Sequence, residues 1–297
     1  MEKCTMCPRF CNMDRTLNKG ICLAGNAPVI AKVMLHRWEE PFISGDTGSG
    51  ALFFAGCNLR CVYCQNIDIS QTLKGQTMTD EAILRYMFRL KELGAVNINF
   101  VTAAHFTDRL IPILVEAKHR GLDLPMVWNS SAYESVATLK KLDGLIDIYL
   151  PDFKYLDPWL ARHYSGAADY PEIAKDALAE MYRQTGPLLF EDDLLKRGMV
   201  VRHLILPGQT EDSQAILAYL YKTYQDNIYL SIMNQYTPAG DLEKYPELNR
   251  RLTEAEYEEV VDYALALGIT KALVQSPESQ SLEFTPDFDI LFEETGL

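Results

Sequence analysis

The sequence lacks several features that would assign its class at once. No cysteine follows Cys64, although the 297 residues contain seven, and this disfavours a disulfide scaffold spread through a small secreted fold. No apolar run is long enough to span a bilayer, and the first residues lack the apolar core of a signal peptide. We therefore expect a cytoplasmic protein without a membrane segment.

Basic residues are also scarce. There are 28 Lys and Arg residues against 41 Asp and Glu residues, which gives a formal charge of −13. A field of that sign repels polyanions, so nucleic acid is disfavoured as a partner. Small molecules or another protein are the partners we expect.

Strand-like and helix-like segments alternate about six times between residues 51 and 275. This alternation predicts a parallel sheet, and we expect an α/β fold with a partial (β/α)6 barrel. An open doubly wound sheet is the alternative. Residues 1–45 are predicted to be a Cys-rich metal-binding segment, 46–275 the barrel and 276–297 an acidic tail. Within the barrel we expect a strand over 199–206, and a helix from Ser131 with Glu134 completing a capping box.

Polar residues punctuated by Gly and Pro follow the predicted strands. In (βα) barrels the chemistry lies on the face where the strands end, so we expect the site there. The segments concerned are 57–64, 102–105, 129–131, 152–154, 207–208 and 234–236.

Cys57, Cys61 and Cys64 form a C-x3-C-x2-C pattern in one loop after a strand. Structural zinc requires four ligands, so this group is one ligand short. A 4Fe–4S cluster has four irons, and three thiolates leave one of them open to bind a substrate. S-adenosylmethionine (SAM) can chelate that iron. The triad therefore predicts a cluster that cleaves SAM.

A second group, Cys4, Cys7, Cys11 and Cys22, has the spacing C-x2-C-x3-C-x10-C. Four thiolates form a closed site, which suits either structural zinc or a saturated second 4Fe–4S cluster. The number of thiolates does not distinguish the two.

The triad, with Tyr63 between its last two cysteines, resembles the C-x3-C-x-aromatic-C signature of the radical SAM superfamily. Residues 50–66 are similar to the pyruvate formate-lyase activating-enzyme-like branch, and within it to the PflX-like group. Residues 36–41 and 4–11 belong to the same likeness. The resemblance implies a 4Fe–4S cluster and SAM as cofactors.

The resemblance also implies a set of SAM contacts. Tyr63 is expected near the adenine, and Thr102 or His105 replaces the family's Gly-Gly-Glu grip on the amino group. The remaining expected contacts are Asn129, Ser131, Asp152, Lys154 and Arg202. For Asp152 and Lys154 a surface ion pair is the alternative. Only one of the strand neighbours Arg202 and His203 can face inward, and we favour Arg202.

The function implied is a radical SAM enzyme of the glycyl-radical activase type, whose 5′-deoxyadenosyl radical takes hydrogen from a glycine of a partner protein. Such an enzyme needs an electron donor such as flavodoxin or ferredoxin. The alternative is a radical SAM enzyme that modifies a small molecule, a cofactor precursor or another macromolecule. A non-catalytic, metal-stabilised binding protein is the remote alternative.

Overall fold

The computed structural model describes residues 3–275 and 286–293. Residues 3–28 contain no helix or strand and precede the sheet. The strands are β1 (Val29–His36), β2 (Ser49–Phe54), β3 (Gln76–Thr77), β4 (Ile98–Val101), β5 (Met126–Ser130), β6 (Ile148–Pro151), β7 (Leu189–Glu191), β8 (Leu194–Leu204), β9 (Tyr229–Met233), β10 (Ala272–Val274) and β11 (Phe292–Glu293). The α-helices are α1 (Pro41–Ser44), α2 (Ile67–Ser70), α3 (Asp80–Glu92), α4 (Thr107–His119), α5 (Val136–Leu139), α6 (Pro158–Ser165), α7 (Tyr170–Thr185), α8 (Thr210–Tyr224) and α9 (Glu254–Ala266).

In the described part of the chain, seven strands run parallel, in the order β2-β4-β5-β6-β8-β9-β10. Spatial neighbours follow the chain order throughout, so the sheet winds in one direction and lacks the reversal of a doubly wound fold. The predicted partial barrel is confirmed, with β10 as a short seventh parallel strand, and the doubly wound alternative is wrong. At the β2 edge, β1 pairs antiparallel with β2 and parallel with β11.

The two faces of the sheet differ in chemistry. One face carries the large apolar core with Phe54, Phe100 and Trp128, which packs beneath helices such as α3. The apolar stripe of α3 comes from buried residues spaced one turn apart, including Ile83, Met87 and Leu90. Strand residues alternate between faces, so the other face presents both apolar side chains, such as Val127, and polar ones, such as Asn129, to the barrel interior.

Helix starts follow local capping chemistry. Thr79 caps α3 by accepting from the Ala82 amide, and Thr253 with Glu256 forms a capping box at α9, as their sequences predict. The helix expected from Ser131 is wrong. The chain turns at Ala132, whose φ is +57°, so the cap is Ser135 and the helix is the short α5.

The strand predicted over 199–206 is longer at its start and ends earlier. It is β8, Leu194–Leu204, which forms a hairpin with β7. Asp192 and Asp193 connect the two strands with φ of +49° and +61°. Two left-handed residues are what a two-residue hairpin turn needs, and Asp tolerates that conformation. Of the predicted tail 276–297, only residues 286–293 are described.

Candidate active site

A cavity of about 390 Å³ lies within the barrel, at the ends of the parallel strands. Side chains from β2, β4, β5, β8 and β9 all reach it. They include Phe53, Val101, Asn129, Arg202 and Met233. All three triad cysteines line the same cavity, so the Cys57 loop and the strand ends form one site.

The triad loop follows β2 directly, and each of its sulfurs accepts a hydrogen bond. The Leu59 amide donates to Cys57 Sγ at 3.4 Å. Ser165 Oγ donates to Cys61 Sγ at 3.0 Å, and Ser70 Oγ donates to Cys64 Sγ at 3.3 Å. Such bonds orient metal-bound thiolates and tune the metal they hold.

The thiols themselves are buried. Cys57 and Cys61 are 9% and 7% exposed, and burial raises the pKa of the Cys57 thiol. Burial likewise raises the pKa of Cys64 to about 12. Free thiolates are therefore unstable here, whereas a bound metal centre would compensate their charge. Three converging thiols with hydrogen-bonded sulfurs fit a cluster held by three ligands.

Tyr63 is 4% exposed and lines the cavity. Its ring packs edge-on against three further tyrosines, with centroids at 6.4 Å from Tyr155, 6.2 Å from Tyr164 and 6.2 Å from Tyr236. The aromatic position in the triad motif is therefore fixed by a tyrosine cluster beside the cysteines.

Asp152 and Lys154 follow β6 and form an ion pair of 2.8 Å. The pair is not on the outer surface: the two side chains are 25% and 17% exposed, and both line the cavity. Burial acts to lower the pKa of Lys154, but the Asp152 carboxylate overrides it and the net shift is upward. Lys154 is thus a fixed cation facing the site.

Arg202 lines the cavity and lies between two carboxylates. Its guanidinium bonds Glu40 through Nε at 2.8 Å and through Nη2 at 2.6 Å, and it also bonds Glu39. His203 points to the opposite face, where Nδ1 contacts the Phe153 carbonyl at 2.8 Å. A buried charge group of this kind persists because each member is paired.

Two asparagines and a histidine lie beside this Arg202–carboxylate group, and we call the whole group the polar floor of the cavity. Asn99 Nδ2 donates to Glu39 Oε1 at 2.8 Å, and Asn129 Nδ2 reaches the same oxygen at 3.4 Å. His36, 8% exposed, lines the cavity, and its Nδ1 has no hydrogen-bond partner among the described residues. Burial lowers the pKa of His36, so its ring is neutral near pH 7.

Of the remaining predicted SAM contacts, two line the cavity and one does not. Thr102 lines the cavity with a left-handed φ of +59°, and Ser131 lines it as well. His105 is 2% exposed and bonds the Ala55 carbonyl through Nε2 at 2.9 Å. Among the described residues that line the cavity, His105 is absent, so the structure places it beneath the Cys57 loop rather than in the site.

The amino-terminal cysteines lie against this loop from the other side. Cys22 is buried, while Cys4, Cys7 and Cys11 are half-buried. The sulfurs of Cys11 and Cys22 both approach Gly20, where an added Cβ would lie 3.4 and 3.3 Å from them. Gly20 thus leaves open a space bordered by two thiols. Over residues 3–275 and 286–293, no three His, Cys, Asp or Glu side chains surround a single-ion position.

Sequence reasoning missed several residues that support the site. Ser165 and Ser70 contact the triad sulfurs, and Glu39 and Glu40 hold Arg202. The two serines lie outside the cysteine motif, and their distance from it along the sequence follows no recognisable pattern. The adjacent carboxylates could have been found as the counter-charge that a buried Arg requires.

Comparison with known proteins agrees with this geometry. Residues 52–220 match the model of the radical SAM superfamily, and the chain belongs to that superfamily. It is 30% identical to an uncharacterized protein of Methanocaldococcus jannaschii over 270 residues, covering 89% of this chain and 74% of the relative. It is 24% identical over 205 residues to the pyruvate formate-lyase-activating enzyme of Clostridium pasteurianum, covering 67% and 79% of the two chains.

Solved structures support the fold. Methylornithine synthase (PylB) superposes with a TM-score of 0.51 at 15% identity, covering 72% of this chain and 62% of the enzyme. Streptococcus suis SuiB bound to its precursor peptide gives 0.50 at 13% identity, covering 80% of this chain and 51% of SuiB. The chain thus spans about half the length of SuiB. None of the helices among the described residues could cross a membrane.

Proposed function

We propose that this radical SAM enzyme cleaves SAM reductively and uses the 5′-deoxyadenosyl radical to take a hydrogen atom from a glycine of a partner protein. The observation that carries the first step is the three-cysteine loop opening into the cavity of the barrel. When bound, a 4Fe–4S cluster at Cys57, Cys61 and Cys64 supplies the electron that splits SAM.

The cavity side chains are suited to hold SAM beside the triad. The Lys154 ammonium is placed to attract the SAM carboxylate, because it is charged and faces the cavity. Asp152, Asn129, Ser131 and Thr102 offer oxygen and amide groups for the ribose and the amino group. Tyr63 provides an aromatic edge for the adenine.

The identity of the hydrogen donor rests on the relationship to the activating enzyme. The test is a deuterium-transfer assay with a glycyl-radical protein labelled with [2-²H]glycine and co-purified with the enzyme. We expect deuterium in 5′-deoxyadenosine and a glycyl-radical signal in electron paramagnetic resonance (EPR). The matched control replaces the target glycine by alanine. Deoxyadenosine without deuterium would rule out the glycine substrate while leaving SAM cleavage intact.

A polar small molecule is the second candidate substrate, and the cavity floor favours it. Glu39, Glu40, Arg202 and His36, whose Nδ1 has no partner in the described part of the chain, are more polar groups than a glycine backbone needs for recognition. A His36→Phe variant that still cleaves SAM but no longer couples cleavage to substrate turnover would support this candidate. If the variant activates a glycyl-radical protein normally, the floor has no role in substrate recognition.

The amino-terminal quartet is proposed to bind a metal centre, either zinc or a cluster. The cytoplasm remains our predicted location, since a cluster open to substrate must be reduced at low potential. The remote alternative of a binding protein without turnover is disfavoured by family membership together with the open triad.

A further inference from the structure

The amino-terminal cysteine segment contacts the triad loop through the backbone. The Cα of Gly56, the residue before Cys57, lies so close to the Cys22 carbonyl oxygen that an added Cβ would overlap it. Gly56 accordingly has φ of +84°. The carbonyl of the last quartet cysteine is therefore packed on the residue that precedes the first cysteine of the triad.

A second contact joins the two groups. The Asn58 side chain lies beside the Cys7 thiol, and Asn58 directly follows Cys57. Asn58 is 3% exposed and also donates to the Tyr133 carbonyl at 2.7 Å, so its position is fixed. This bridge links one cysteine of each group through a single intervening residue.

Arg9 holds the arrangement together. Its guanidinium donates to the carbonyls of Asn58 at 2.8 Å, Leu59 at 3.2 Å and Ser165 at 2.9 Å. All three acceptors flank the triad, and Ser165 also bonds Cys61 Sγ. A purely structural metal staple could be attached anywhere on the barrel, whereas this segment is attached to the loop that carries the open site.

The segment differs from the rest of the molecule in its charge. Its exposed side also carries apolar side chains: Phe10, Leu17 and Ile21 are 57%, 72% and 44% exposed. Residues 1–27 carry four basic and two acidic residues, a net charge of +2 in a chain of −13. Lys3 and Lys19 are exposed in this segment. We define the amino-terminal patch as Lys3, Phe10, Leu17, Lys19 and Ile21.

We propose that the amino-terminal segment is the electron entry of the enzyme: Cys4, Cys7, Cys11 and Cys22 hold a 4Fe–4S cluster, and the amino-terminal patch docks a small acidic one-electron donor protein. Charge complementarity selects this partner, since the patch is the basic part of an acidic chain. The proposal rests on the proposed SAM cleavage.

The redox steps balance as single-electron transfers. A reduced flavin protein loses one electron, and the quartet cluster is reduced from the 2+ to the 1+ state. The quartet cluster then returns to 2+ as the triad cluster is reduced from 2+ to 1+ across the Gly56 and Asn58 contacts. No proton or bond change accompanies either transfer.

The first test measures metal content. We expect the Cys57/Cys61/Cys64→Ala protein, reconstituted anaerobically, to retain a 4Fe–4S cluster with an EPR signal after reduction. In the reduced wild type, we expect the spins of two clusters to broaden each other's signals. Tightly bound zinc in place of iron, or two signals without mutual broadening, would overturn the proposal.

The second test uses photoreduced flavodoxin as the donor and dithionite as the small reductant that bypasses docking. In Leu17→Asp we expect the rate of flavodoxin-driven cluster reduction, divided by the dithionite-driven rate, to fall by roughly tenfold or more. Leu265→Asp on α9 is the matched control, since Leu265 is 66% exposed. We also expect the flavodoxin-driven rate to fall as salt is added.

An unchanged ratio in Leu17→Asp, or an equal fall in Leu265→Asp, would contradict the docking surface. These outcomes are separate from failure of the proposed function. If wild-type enzyme with dithionite and SAM forms no 5′-deoxyadenosine, the SAM chemistry itself is wrong, whatever the flavodoxin rates are.

Discussion

At the scale of single residues, Ser165 shows how a distant side chain reaches the site. It lies 104 residues after Cys61, yet α6 brings its hydroxyl to 3.0 Å from the cysteine sulfur. Tyr155 and Ser165 share a hydrogen bond of 2.8 Å, so the Tyr155 hydroxyl can donate to Ser165 while Ser165 donates to the sulfur. A donor at a cluster sulfur stabilises the reduced, more negative state.

We therefore predict that Ser165→Ala lowers the reduction potential of the triad cluster. A net hydrogen bond contributes about 1 kcal/mol, which corresponds to roughly 40 mV for one electron. An EPR-monitored redox titration measures the shift, with Ser213→Ala as the control. An unchanged or higher potential in Ser165→Ala would show that this hydroxyl does not stabilise the reduced cluster.

His203 gives a prediction on pH. Burial lowers the pKa of His203 to about 4, against 6.5 for an ordinary His. The unfolded chain thus binds a proton near pH 6.5 that the folded chain takes up only near pH 4. The contribution to stability is complete above pH 6.5 and is lost as the pH falls towards 4, by about 3 kcal/mol at most.

Replacing this histidine measures its contribution to the pH dependence of stability. We expect the free energy of unfolding of His203→Gln, measured in urea under anaerobic conditions, to fall less between pH 7 and pH 5 than that of the wild type. Parallel curves for the two proteins would mean that His203 does not titrate on unfolding.

Single residues also show what the sequence can and cannot predict. The spacing of Cys57, Cys61 and Cys64 is local and sufficient to indicate a three-ligand site. Strand alternation predicts that only one of Arg202 and His203 faces inward, but the partners of Arg202, Glu39 and Glu40, come from a segment more than 160 residues away. His105 follows a strand, as a site residue is expected to, yet its side chain hydrogen-bonds the Ala55 carbonyl beneath the Cys57 loop. Tertiary contacts of this kind leave no periodic signal.

At the scale of elements, the turn between β2 and the triad determines how the two cysteine groups meet. Gly56 needs its positive φ, and it also needs the absence of a Cβ because the Cys22 carbonyl occupies that space. Gly144 provides a comparison, since its φ is +77° but no atom of the residues that the structure describes lies within 4 Å of an added Cβ.

We predict that Gly144→Ala costs roughly 1–2 kcal/mol of stability through backbone strain alone. Gly56→Ala is expected to cost more and to reduce the iron bound by both cysteine groups, because the loop and residue 22 must separate. Urea unfolding and iron analysis of the two variants measure the difference. Equal losses would show that the contact between Gly56 and Cys22 is not tight in solution.

Elements were predictable where their signals are local. The caps Thr79 and Thr253 and the strand–helix alternation were sufficient to predict most of the barrel. The helix expected from Ser131 failed because a left-handed residue, Ala132, turns the chain first. The β7–β8 hairpin escaped prediction because the Asp192-Asp193 turn lacks the glycine that usually marks such turns.

At the scale of the whole molecule, the fold and the charge distribution define two separate regions. Seven parallel strands in chain order bring the triad, the Asp152–Lys154 pair and the Arg202 group to one cavity. The basic amino-terminal segment lies behind the triad on an acidic chain. In our proposal, the molecule therefore has a substrate side within the barrel and an electron side at the amino terminus.

The most direct test of the central claim is the formation of 5′-deoxyadenosine by the anaerobically reconstituted protein with dithionite and SAM. We predict that the wild type forms it and that the Cys57/Cys61/Cys64→Ala protein forms none. A wild type that produces no 5′-deoxyadenosine while holding its full complement of iron, or a triple variant that produces as much as the wild type, would contradict the account.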